Sequence, residues 1–141
     1  MATYSLANLT TATGTGVAAL ELRTSSTDRV RLEEIGLSLN AATASTFGIG
    51  RPQAIGVTPT SPITWLAQDP GSPAGTAQTA LAWATGPTVP VNFFRRWNLP
   101  ATIGAGFILF FDNLWVGVSS SIVLWNLTAV SAVNCHVKGD E

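Results

Sequence analysis

The chain has 141 residues, a formal net charge of −1 and 11% charged residues, a length that makes one domain able to bury a sizeable core. So little net charge gives no electrostatic basis for a nucleic-acid or anionic-membrane partner. Charge at under half the usual quarter implies a small-residue, neutral surface, which suits either a Thr/Ser-rich β-protein or a subunit held in an assembly.

The single cysteine, Cys135, excludes an intrachain disulfide. The opening MATYSLANLT lacks a basic region followed by an apolar one, so it does not read as a signal peptide. The longest apolar runs are too short for a membrane span. The expectation is a protein made in a cytoplasm without an address label.

In chain order, residues 3–9 alternate weakly, with Tyr4 and Leu6 against Thr3 and Ser5, and TTATGTG follows as a connection. Residues 1–16 therefore read as an N-terminal arm or edge strand with little apolar material to order it alone. Residues 17–138 read as one jelly-roll domain, and 139–141 as a polar tail that frays.

Within the domain, 17–23 is a strand candidate. Residues 29–40 alternate most clearly, with Val30 and Leu32 on one parity and Ile35, Leu37 and Leu39 on the other. The phase change at Glu33 and Glu34 predicts a β-bulge, an extra residue that re-aims the strand. Another strand is expected over 43–51, around Phe47 and Ile49. Residues 52–75 are dense in Pro, Gly, Ser and Asp, a loop long enough to have a function or to lie against something, with an apolar island at 63–66. QTALAWAT at 78–85 reads as a strand rather than a helix, because Leu81 and Trp83 alternate with alanines at period two.

The aromatic load sits at 91–128, VNFFRRWNLPATIGAGFILFFDNLWVGVSSSIVLWNLT, with three of the five tryptophans and all but one of the phenylalanines. Aromatic side chains bury the most area apiece, so this segment is expected to dominate the core. It divides into three strands, 91–97, 107–111 and 122–127, read as consecutive antiparallel neighbours in the middle of a sandwich. Val133, Cys135 and Val137 alternate with Asn134, His136 and Lys138 in a last strand. The sum is an all-β chain of eight or nine short strands with no substantial helix: a two-sheet antiparallel β-sandwich, or jelly roll.

Chemistry-bearing groups are few. Cys135 and His136 are adjacent in a strand and point to opposite faces, so they cannot form a nucleophile and base pair. Glu33 and Glu34 are splayed in the same way. No catalytic, cofactor-binding or metal-ligating residue is assigned, and no cofactor is expected; zinc would need several His or Cys ligands. Gly104-Ala-Gly106 lacks the rest of a phosphate-binding loop and reads as a turn. Arg95 and Arg96 lie beside Phe94 and Trp97, where an arginine either stacks on an aromatic plane or holds a carboxylate across a subunit contact, or else snorkels over apolar surface.

The string PTVPVNFFRRWNLPATIGAGFILFF, followed by SSSIVLWNLTA, resembles a class of small tailed-bacteriophage virion proteins. Arg95 and Arg96, the turn at Leu99, Pro100 and Ala101, the turn from Gly104 to Gly106, and Leu124, Trp125 and Asn126 carry the resemblance, which covers 81–128. Members of that class are jelly-roll subunits, often likened to the tumour-necrosis-factor fold, that cement a capsid from outside. The resemblance implies a homotrimer bound to the major capsid protein of a phage head, on the capsid exterior. The candidate subunit or capsid contacts are Tyr4, Leu6, Arg95, Arg96, Trp97, Trp115 and Trp125. The alternative is a receptor- or carbohydrate-binding head of a phage tail or fibre. Trp65, Trp83 and Trp115 arrayed along a groove would favour that alternative.

Overall fold

A computed structural model describes residues 1–10, 17–56, 60–128 and 132–141. Among these residues every regular element is a strand: β1 Thr3–Leu9, β2 Val17–Arg23, β3 Val30–Leu39, β4 Ser45–Gly50, β5 Ile63–Thr64, β6 Leu66–Ala67, β7 Gln78–Ala80, β8 Arg95–Leu99, β9 Gly106–Val116, β10 Ser121–Asn126 and β11 Val133–Asp140. They form two antiparallel sheets, ordered β6-β1-β11-β3-β9 and β5-β7-β2-β10-β4-β8. The chain is thus the expected all-β two-sheet sandwich, with more strands than the eight or nine anticipated. The surplus, β5 and β6, consists of two-residue strands within the connection from β4 to β8.

The pairings explain the architecture. β1 lies beside β11, β2 beside β10, β3 beside β9 and β4 beside β8, and successive pairs alternate between the sheets. The chain runs out through four strands and returns beside itself, which is the jelly-roll winding. Pairing partners so far apart in sequence leave no local signal, whereas the parity of each strand does. Val30 and Leu32 face the core, as do Ile35, Leu37 and Leu39. Between them the register against β9 shifts from Leu32 to Glu34, the bulge expected there.

The aromatic segment does not form three neighbouring central strands. β8 and β9 are the edges of different sheets, and only β10 is central. The winding imposes this, because consecutive strands cross from one sheet to the other. The core is accordingly built mostly from β2, β3, β4, β10 and β11, with Phe47, Ile49, Leu32 and Leu124 at 0% exposure. Each such side chain contributes roughly 1.5–3 kcal/mol by leaving water.

The long connection after β4 closes two surfaces. Trp65 stands where the chain steps from β5 in one sheet to β6 in the other, and it is buried against Tyr4 with ring centroids 5.2 Å apart. Farther on, Trp83 and Phe93, with Leu127, cover Ala18, Val123 and Trp125 on the outer face of the six-stranded sheet. Strand structure within 78–85 is confined to β7 and an isolated bridge at Trp83.

The strand expected over residues 3–9 is present, whereas the tail expected to fray is held. β1 pairs along its length with β11, so residues 3–9 belong to the sheet rather than to a loose arm. Gly139 and Asp140 are buried in β11, and Glu141 exchanges backbone hydrogen bonds with Ala2. The tail is held because its backbone groups find partners in β1 and β3. The connection expected at 10–16 lies outside the described residues except for Thr10, whose amide donates to the Val133 carbonyl.

Candidate interaction surface

The residues expected to make contacts divide into those the fold buries and those it leaves outward. Tyr4 is 3% exposed, stacks on Trp65 and donates its hydroxyl to the Pro73 carbonyl at 3.0 Å. It belongs to the chain's own core and is not free to lie on a neighbour, a correction caused by the connection that brings Trp65 against it. Leu6 is half-buried against the same core. Trp125 is fully buried beneath Trp83, Phe93 and Leu127, because β10 is central and its outer face is covered. It too is removed from any surface.

The outward set lies on the side where β8 and β9 end the two sheets. Trp97 stacks on Phe107, with centroids 4.1 Å apart, bridging the two edge strands. Leu99, Leu109, Phe111 and Leu114 pack there only partly buried. Arg96 is exposed with its guanidinium 5.5 Å from the Phe93 ring, the aromatic stacking among the three arrangements left open. Arg95 is exposed and donates to the Phe94 carbonyl at 2.9 Å. Trp115 is half-buried, its indole donating to Asn113 Oδ1 at 2.6 Å and its ring facing Arg29 at 5.6 Å.

The outer face of the five-stranded sheet carries what sequence reasoning missed. Ile108 and Phe110 point outward from β9 and are 55% and 74% exposed. Their inward neighbours, Phe107, Leu109 and Phe111, pack on the core. A signal was present: adjacent strand residues face opposite ways, so the pair Phe110 and Phe111 had to place one ring outside. Beside Ile108 a depression of about 440 Å³ is lined by Ala7, Leu9, Ser38, Asn134 and His136, among others.

At the other end of this face the chain concentrates its ion pairs. Arg31 reaches Glu33 at 3.0 Å and also pairs with Asp140, while Lys138 reaches Glu33 at 3.0 Å. The hydrogen bond to Glu33 and its charge raise the Lys138 pKa above its ordinary value. Burial by itself would raise Asp140, yet hydrogen bonds from Thr3 and Arg31 and the Arg31 charge hold it below the usual carboxylate range. Arg31 Nε, buried beneath this network, has no hydrogen-bond partner among the described residues.

Cys135 and His136 do face opposite ways. The thiol is buried in the core, and burial pushes its pKa up to about 12. The His136 imidazole lies over Gly36 on the outer face, with Nε2 2.6 Å from Glu34 Oε1. Glu33 and Glu34 are taken up by different partners. Among the described residues no group of three or more His, Cys, Asp or Glu side chains is placed to hold one metal ion. Trp65, Trp83 and Trp115 lie in three separate places: the core, the lid over the six-stranded sheet, and the outer side of β9. They do not line one groove.

No family model, no curated protein and no solved structure matches the chain.

Proposed function

We propose that this chain is a structural virion subunit: a homotrimeric decoration protein that binds the major capsid protein on the outside of a phage head and stabilises the shell, with no catalytic step. The observation that carries the reading is the β8 and β9 side of the sandwich. There a band of aromatic and aliphatic side chains is only partly covered and runs on to exposed Ile108 and Phe110. An exposed apolar patch of this kind marks a contact surface, and a chain so poor in charge gains solubility by burying it in an assembly.

The test has two arms. Sedimentation of the isolated protein should give a trimer, and a monodisperse monomer at micromolar concentration would count against it. Particles lacking the protein should fail at a lower temperature than complete ones, since a ligand that binds only the intact lattice stabilises it by mass action.

One observation favours a second reading, a receptor- or carbohydrate-binding head. The depression beside Ile108 brings Ser38, Asn134 and His136 together at an apolar wall, the composition of a small-ligand site. Particles that lack the protein, survive heating unchanged and fail to adsorb to cells would select it.

A further inference from the structure

Four of the seven cationic residues, Arg29, Arg51, Arg95 and Arg96, form no ion pair among the described residues, which include every Asp and Glu of the chain. Three of them form one strip where β3 begins and where β4 and β9 end. Arg29 packs its guanidinium 5.6 Å from the Trp115 ring, and Arg51 donates to the Trp115 carbonyl at 3.1 Å. The Arg51 guanidinium also lies 5.4 Å from the Phe94 ring, and Arg95 donates to the Phe94 carbonyl at 2.9 Å. All three arginines are exposed. Aromatic planes and carbonyls hold the guanidinium groups while leaving most of their five donors apiece unused.

We propose that this strip, Arg29, Arg51 and Arg95 backed by Trp115 and Phe94, is the docking surface for a carboxylate-rich segment of another protein. A planar guanidinium fixed on a ring matches a carboxylate in two parallel hydrogen bonds. A nucleic-acid strand fits less well: the chain is net negative, and Asp28, next to Arg29, keeps its charge because hydrogen bonds from Thr27, Thr76 and Ser25 lower its pKa. A phosphate chain tracking across this end would be repelled there, whereas short, discrete carboxylates can seat on the arginines alone. The surface also gives salt something to screen. The inference stands apart from the virion reading, because the surface is tested on the isolated protein.

The full chain is titrated with a short peptide alternating glutamate and glycine, and with an oligothymidylate of equal formal charge, in low-salt buffer. The Trp115 indole resonance is followed by NMR. The peptide should bind saturably and shift that resonance. R51A and R95A should each weaken binding about tenfold, the loss of one charge-assisted pair. The conservative R51K and R95K should restore only part of it, and R96A, on the opposite side of β8, should leave it unchanged. Absence of saturable peptide binding, binding that survives R51A and R95A together, or tighter binding of the oligonucleotide through the same arginines would overturn the proposal.

Discussion

The Trp65 indole donates to the Glu141 carboxylate at 3.1 Å, so the chain's terminal residue in this sequence holds the plug of its own core. The same carboxylate accepts the Thr76 amide at 2.6 Å and the Ala77 amide at 3.1 Å. A residue read as frayed tail thus fastens the connection that carries β5 to β7. Hydrogen bonds to a charged acceptor contribute about 1.5–3 kcal/mol. Glu141→Ala should therefore lower the unfolding free energy by about 2 kcal/mol, and Glu141→Gln by less. Urea unfolding checks this, and a midpoint equal to the wild type's would sink it.

Gly36 is required by its neighbour across the strand pair. A Cβ there would come within 2.3 Å of the His136 ring, so Gly36→Ala must displace the imidazole and break its bond to Glu34. A loss of about 1 kcal/mol is expected, the worth of an ordinary hydrogen bond. In His136→Ala the same glycine change should cost little. If the two substitutions prove additive in a double-mutant cycle, the ring does not lie where described.

Cys135 should be inert while the protein is folded. Its thiol is buried, with a pKa pushed up to about 12, and the thiolate is the reactive form. Iodoacetamide at mildly alkaline pH should label it only at the rate of opening, and quickly once denaturant is added. Fast, complete labelling of the native protein would contradict the burial.

Asp140 carries a pH dependence of definite sign. Its folded pKa is depressed, so the folded state binds fewer protons than the unfolded one. The stabilisation is present above the unfolded value of about 3.9 and is lost as pH falls through the folded value. Asp140→Asn should lower stability near neutrality by about 1–2 kcal/mol, as expected for hydrogen bonds to a charged group. The variant should also flatten the decline below pH ~4, leaving a smaller slope from Asp28, whose pKa is lowered as well. Unfolding midpoints taken across the acid range decide it; an undiminished slope in the variant would assign the acid loss elsewhere.

What the sequence determined by itself was parity and its interruptions. Alternation placed Val30, Leu32, Ile35, Leu37 and Leu39 on the core side, required a bulge at Glu33 and Glu34, and set Cys135 and His136 back to back. These are local consequences of a two-residue period, so they are legible without any partner strand. The two-sheet all-β class followed from the same pattern. Which faces are covered was decided only by the tertiary structure. Trp125 and Tyr4 are buried because a connection remote in sequence folds over one and against the other. Phe110 stays outside because, among the described residues, no element covers the outer face of the edge strand β9. The convergence of Arg29, Arg51 and Arg95 on Trp115 and Phe94 arises from three strand ends meeting at one end of the sandwich. Period two says which residues share a face; only the pairing of distant strands says what that face meets.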